Sequence, residues 1–308
     1  MGVVGVFLRG LLMGAADIVP GVSGGTVAFI TGIYDTLLDS IRSVNIAFFR
    51  KVVTLDIAGA WEQVNGGFLV PLLLGVVTSI FSLAQVVSWI LTHYPVPLWA
   101  FFFGLILASA LVLLQSVQQW HPIRILCLMA GTAVALSIAL SASVGLEMGY
   151  GGVFLAAFLA ICAMILPGIS GSFILVLLGM YNAVLLAIKS LDVTFILVFM
   201  IGAVCGLMCF SRLLHWLLER FQQATMAVLT GFLFGSLAVV WPWKRVLVWI
   251  ERSNGELKPA QQLPVMPADF ELYTGQDPQM LLCLSLMVAG FAVVWFVHAR
   301  WGSSAAGG

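Results

Sequence analysis

Two stretches of this chain carry the same interruption. Residues 16–38 read ADIVPGVSGGTVAFITGIYDTLL, and residues 163–185 read AMILPGISGSFILVLLGMYNAVL. Each has a hydrophobic lead-in, then Pro-Gly-x-Ser-Gly, then an apolar run ending in Gly-x-Tyr. Proline removes an amide donor and collides with the preceding helical turn. Glycine permits the sharp turn that follows. A chain that repeats this break inside apolar segments builds two broken helices. Hydrophobic segments interrupted by Pro and Gly at corresponding positions are the sequence mark of a transporter site made from discontinuous membrane helices.

Composition sets the solvent. The 308 residues are 62% hydrophobic and 8% charged, whereas soluble domains carry about 25% charged residues. So little polar surface cannot cover a globule in water, and the chain is expected to be an integral, multi-span helical protein. A β-barrel would alternate apolar and polar residues instead of running apolar. The formal net charge is zero, which gives nucleic acid no basic surface to bind. Arg9 interrupts the first apolar stretch, so no cleavable signal peptide is expected. Cys127, Cys162, Cys205, Cys209 and Cys283 all lie in apolar segments and read as packing residues. No metal or other cofactor is indicated. The tail from Gly302 to Gly308 reads as a linker and is set aside.

A bilayer core about 30 Å thick takes roughly 20 apolar residues per helix. Six stretches qualify: 69–92, 97–116, 122–142, 193–218, 223–243 and 279–299. Two more, 3–40 and 151–190, are each split by the motif. Their halves are marginal for full spans, so they read as re-entrant hairpins or as tilted pairs. Gly75, Trp89, Gly104 and Ser109 align without gaps on Gly202, Trp216, Gly231 and Ser236. The duplication therefore extends past the motif. The expected organisation is all-α and polytopic. Repeat 1 occupies 1–120, with a broken hairpin at 3–40, an interfacial amphipathic segment at 41–68 and helices 69–92 and 97–116. A linking helix lies in 121–150. Repeat 2 occupies 151–243, with a hairpin at 151–190 and helices 193–218 and 223–243. A loop at 244–278 and a C-terminal helix at 279–301 complete it. An odd linking span inverts the second repeat relative to the first.

Charge places the halves. Arg42, Arg50, Lys51, Arg124, Arg212, Arg220 and Arg300 fall on one side. Lys189, Lys244, Arg245, Arg252 and Lys258 fall on the other, most of them in the acid-bearing loop 244–278. The positive-inside rule puts both termini in the cytoplasm. Trp241, Trp243 and Trp249 then mark the outer interface.

The break has a chemistry. Ser23 and Ser170 stand where an N-cap belongs. Beyond each, amide N–H groups are freed at the positive end of a helix dipole, which suits phosphate or carboxylate. Thr26 and Ser172 add hydroxyls, while Gly24, Gly25 and Gly171 let an oxygen approach the backbone. Pro20, Gly21, Pro167 and Gly168 form the hinges. Against this stands the plainer reading that Pro and Gly only kink packed helices; the duplication tips the balance toward a site. Asp17 precedes the first break, and Met164 replaces it in the second copy. A carboxylate in the bilayer costs about 2.5–3.5 kcal/mol unless solvated, paired or protonated. Asp17 is therefore the candidate for proton or sodium coupling, against a plain cap on the turn. Arg9 is a candidate for an anionic head group, for Asp17, or for the membrane surface. Arg212 with His215 is a candidate basic lip or a simple anchor. Asp35, Asp39, Lys189 and Asp192 read as boundary residues, Glu147 as a loop acid, and Tyr34 and Tyr181 as interfacial belt residues.

The run D-I-V-P-G-V-S-G-G-T followed by G-I-Y, with its degenerate copy I-L-P-G-I-S-G-S and G-M-Y, resembles the polyprenyl-phosphate transporter family PopT. The likeness extends to about Arg300. It implies a cytoplasmic-membrane translocase that returns undecaprenyl phosphate, the lipid carrier of cell-envelope polymers, to the inner leaflet. The partners implied are that lipid and the surrounding bilayer. Two other classes remain open on the residues alone. A carrier or channel for small anions or ions would use the same broken helices. An intramembrane lipid-phosphate enzyme would need more than Ser211, Arg212 and His215. Nothing in the sequence specifies an oligomer.

Overall fold

A computed structural model describes residues 2–17, 23–118, 120–141, 149–251 and 257–301. The first motif region is three helices: α1 (Val3–Asp17), α2 (Gly24–Ile30) and α3 (Tyr34–Arg42). Then come α4 (Ile46–Val53), α5 (Ile57–Gln63), α6 (Gly66–His93), α7 (Pro95–Gln115) and α8 (Pro122–Leu140). The second motif region is α9 (Tyr150–Ile165), α10 (Gly171–Leu177) and α11 (Tyr181–Ser190). The chain continues through α12 (Val193–Val240), strands β1 (Lys244–Glu251) and β2 (Leu257–Pro264), α13 (Pro267–Thr274) and α14 (Met280–Trp301).

Among the described residues, α6, α7, α8, α12 and α14 are long and apolar enough to cross a membrane. The molecule is a multi-pass membrane protein. The two expected spans 193–218 and 223–243 are the limbs of α12, which leaves helical geometry at Phe221. The bend is sharp. Thr225 Oγ1 donates to the Leu217 carbonyl at 3.1 Å, although eight residues of straight helix span about 12 Å.

Three expectations need correction. Each motif region has two breaks, because Gly-x-Tyr also stops a helix. Gly32 and Gly179 take φ of 69° and 72°, a region that side chains disfavour. Ile33 N–H bonds to the Ala28 carbonyl and Met180 N–H to the Leu175 carbonyl, both closing the same C-terminal motif. Ile33 and Met180 are then fully buried. The 41–68 segment, expected to be helical, holds two short helices, α4 and α5, capped by Asn45 and Asp56, and needs no correction. The loop 244–278 contains an antiparallel hairpin of β1 and β2 followed by α13, so the protein is not wholly α. Trp243, expected at the interface, is buried under this cap, with Nε1 donating to the Pro278 carbonyl at 2.9 Å. Trp241 bonds the Val265 carbonyl at 2.8 Å.

Glycines let the helices touch. Gly10 and Gly14 of α1 lie against Leu72, Gly75, Val76 and Ser79 of α6. Gly202 and Gly206 lie against Phe154 and Phe158 of α9. Gly75 and Gly202 are the aligned positions of the duplication, so these contacts correspond. The same holds for Gly104 of α7 against Met287 of α14, and Gly231 of α12 against Leu128 of α8. Helix α8 thus packs on the second half and α14 on the first. Small residues are the usual means of close helix approach in lipid, where no hydrophobic force brings helices together. A Cβ at Gly104 would run into the Met287 carbonyl oxygen. Gly104→Val is expected to destabilise the protein by about 1–3 kcal/mol, read as an earlier thermal transition in detergent.

Candidate functional site

The described parts of the two Pro-Gly breaks lie against each other. Ser23 Oγ donates to the Met164 carbonyl at 2.9 Å, and Gly168 N–H donates to Thr26 Oγ1 at 3.2 Å. A Cβ on Gly25 would sit 2.7 Å from the Ile165 carbonyl oxygen. The N-terminus of α2 is thereby seated on the end of α9, the lead-in to the second break. Ser23, Thr26 and Ser170 are all buried.

Local sequence explains the first elbow. Ser23 adopts extended backbone and its Oγ accepts from Gly25 N–H at 3.1 Å, an N-cap. Asp17, the last residue of α1, reaches over the break and accepts from Gly24 N–H at 2.7 Å. The first amide donor of α2 therefore already holds a carboxylate. Gly24 makes room for it, since a Cβ there would lie 2.6 Å from Asp17 Oδ2. Pro20 and Gly21, the first hinge, lie outside the described residues, as does Glu147.

The second elbow has a different filling. Ser170 gives α10 no side-chain cap, and its Oγ lies 2.8 Å from Ser172 Oγ. Met164 stands where Asp17 stands in the first copy, and among the described residues no carboxylate reaches back. Gly171 presses on α9, where a Cβ would sit 2.6 Å from the Ala160 carbonyl oxygen. Pro167 and Gly168 are buried at the turn. Beside Gly168 and Ser170, between α8 and the second limb of α12, is a crevice of about 10 Å³ that Ser236 also lines. That is room for about one water, so a phosphate requires α8 or α12 to shift.

The remaining candidates lie elsewhere. Arg9 is buried at the other end of α2, where Nε donates to the Thr31 carbonyl at 3.3 Å and Nη1 to the Gly5 carbonyl at 3.3 Å. A cation there complements the negative C-terminus of α2. Arg212 is exposed and donates to the Met208 carbonyl of its own helix at 2.9 Å. His215 bridges two acids: Nδ1 is 3.2 Å from Asp39 Oδ1, and Nε2 is 2.9 Å from Glu219 Oε1. This ties α3 to the first limb of α12. Ser211 is buried with Oγ 3.4 Å from the Met208 carbonyl, turned into its own helix.

One contributor escaped the sequence reading. Tyr34 is not a belt residue: it is buried, and its hydroxyl donates to the Ile165 carbonyl at 3.1 Å. The signal was present in the matched Gly-x-Tyr, but only the packing shows that Tyr34 holds the first hairpin to the second break. Tyr34→Phe is expected to cost about 0.5–1.5 kcal/mol, the worth of one hydrogen bond, as a lowered thermal midpoint.

Residues 13–258 match the family described as VCA0040-like, undecaprenyl phosphate translocase-like. A Vibrio cholerae protein named polyprenyl-phosphate transporter is 48% identical over 294 residues, covering 96% of each chain. A Staphylococcus aureus protein of the same name is 31% identical over 259 residues, covering 76% of this chain and 85% of that one. No solved structure matches this chain.

Proposed function

Because the chain belongs to the undecaprenyl phosphate translocase-like family, we propose that it carries a polyprenyl phosphate, undecaprenyl phosphate in particular, across the bacterial cytoplasmic membrane. It is a transporter and not an enzyme in this reading, and both termini face the cytoplasm. The observation that carries the site is the direct bonding of the two elbows, Thr26 Oγ1 to Gly168 N and Ser23 Oγ to Met164 O. Irregular backbone at membrane depth is tolerated where protein buries it or where it lines a polar cavity. Two such segments on one another concentrate amide donors at one point.

The phosphate is the costly part of this lipid, since its polyprenyl tail is as apolar as the bilayer. In this reading Gly171, Ser172 and Ser170 of the second elbow, and Ser23, Gly24, Gly25 and Thr26 of the first, surround the phosphate, which must displace the bonds that Gly24 and Gly25 N–H and the Ser23 hydroxyl now make to Asp17, Ser23 and Met164. The two elbows differ in readiness. The first holds Asp17 on Gly24 N–H, and a dianionic phosphate cannot share that place with an ionised carboxylate. Protonating Asp17 removes the repulsion and weakens its hold on the amide, which then donates to a neutral oxygen instead of a charged one. Proton uptake and phosphate binding are thereby linked at one atom. The hairpins serve opposite leaflets in this reading. Three crossings, α6, α7 and α8, separate them, which inverts the second if each hairpin returns to its own side.

Purified protein in proteoliposomes carrying leaflet-labelled undecaprenyl phosphate tests the proposal. The expected result is protein-dependent movement of intact lipid, faster under an imposed pH gradient and indifferent to sodium. Release of inorganic phosphate would assign a hydrolase instead, and no movement at all would remove the proposal.

A further inference from the structure

A second cavity lies far from the elbows. It holds about 410 Å³, between the start of α8 and the bend of α12, and is lined by His121, Arg124, Arg220, Gln222 and Gln223. That volume falls within the range of about 300–1,000 Å³ usual for ligand sites. Ala135 of α8 lines the crevice at the second elbow. Arg124 stands eleven residues earlier, about 16 Å along the helix axis. The cavity is therefore a separate place.

Its charge is cationic. Among the lining residues the one carboxylate, Glu219, has Oε1 2.9 Å from Nε2 of His215. Arg124 and Arg220 line the same wall. Two helix starts add to this field: α8 begins with His121 at its N-cap and no side-chain cap, and the second limb of α12 begins just past Phe221. The apolar surroundings then decide what kind of anion fits. Ile123, which lines the cavity, continues down α8 into Leu126 and Met129, and these are 63%, 67% and 60% exposed. Spaced three residues apart, they form one apolar strip running from the cavity into the hydrocarbon. A soluble anion has no use for such a strip, whereas a headgroup with acyl chains does. Basic pockets between membrane helices on the cytoplasmic side are the known form of anionic headgroup sites.

We propose that this cavity binds the phosphodiester headgroup of an anionic phospholipid, with Arg124 and Arg220 holding the phosphate and the α8 strip receiving an acyl chain. The occupant is a resident of the leaflet on the side of the arginine-rich loops, and its site is distinct from that of the transported lipid. It braces the start of α8 against the bend of α12, the two elements that border the crevice at the second elbow.

Native mass spectrometry of the full-length protein, titrated with phosphatidylglycerol against phosphatidylcholine, tests this without any transport assay. Phosphatidylglycerol is expected to be retained and phosphatidylcholine stripped. The Arg124→Gln/Arg220→Gln double variant should lose retention by roughly thirtyfold, the effect of two arginines near a membrane surface. The Arg124→Lys/Arg220→Lys double variant should keep most of it, which separates lost charge from lost fold. Equal retention by the Gln variant would overturn the proposal. So would displacement by millimolar inorganic phosphate, which marks a free-anion site. Displacement by undecaprenyl phosphate with no competition from phosphatidylglycerol would also overturn it, because the cavity would then belong to the transported lipid.

Discussion

Gly25→Ala is expected to abolish lipid translocation while the protein still inserts and folds. The added methyl would sit 2.7 Å from the Ile165 carbonyl oxygen, which is backbone at the end of α9 and cannot rotate away. Either α2 lifts or the second break is pushed back. Both separate Thr26 from Gly168 and Ser23 from Met164, bonds now at 3.2 and 2.9 Å. Displacing positioned groups by about 1 Å costs on the order of a hundredfold in rate, and the strain costs about 1–3 kcal/mol of stability. Gly171→Val is expected to act likewise at the second elbow, where the obstacle is the Ala160 carbonyl oxygen at 2.6 Å. Gly67→Ala is the control, since nothing lies within 4 Å of its added methyl. The measurements are leaflet-resolved transport and thermal unfolding on the same preparations. A folded Gly25→Ala protein with wild-type transport would end the idea that the joined elbows form the site.

Asp17→Asn is expected to uncouple transport from pH. Asparagine keeps an oxygen for Gly24 N–H, now bonded to Asp17 at 2.7 Å, but it carries no charge. It therefore imitates the protonated carboxyl. Phosphate binding should tighten near neutral pH by roughly tenfold, which is 1.4 kcal/mol of repulsion removed. The pH profile of transport should flatten, because no proton need arrive before the phosphate. Acceleration by a pH gradient should disappear while exchange down a lipid gradient persists. An unchanged profile would remove Asp17 from coupling and leave it as a cap on α2. Gly24→Ala offers a second test of the same link, since its methyl would fall 2.6 Å from Asp17 Oδ2, a movable atom. It should loosen the carboxylate and shift the profile without separating the elbows.

Much was legible before any coordinates. Long apolar runs located the spans, because a helix in lipid must satisfy its backbone internally over a set length. Pro20 and Pro167, each followed directly by glycine, located the breaks, because a missing amide donor beside a residue free to turn favours interruption; Pro71, without such a glycine, is carried inside α6. Ser23 was readable as a cap from its place ahead of Gly24. Gly32 and Gly179 were visible as a repeated feature but not as helix stops, since a lone glycine within an apolar run is compatible with continued helix. The strands β1 and β2 were hidden in a segment that read as a polar loop.

The chain order alone thus establishes a membrane protein with two matched interruptions, because the length of apolar runs and the chemistry of proline act locally. Partnership is another matter. That Tyr34 reaches Ile165, that Asp17 takes the first amide of α2 while Ser170 caps nothing, and that the linking helix α8 packs on α12 are long-range facts. They arise when distant helices approach closely at Gly104, Gly202 and Gly231, and no local rule of propensity or periodicity encodes which surfaces will meet.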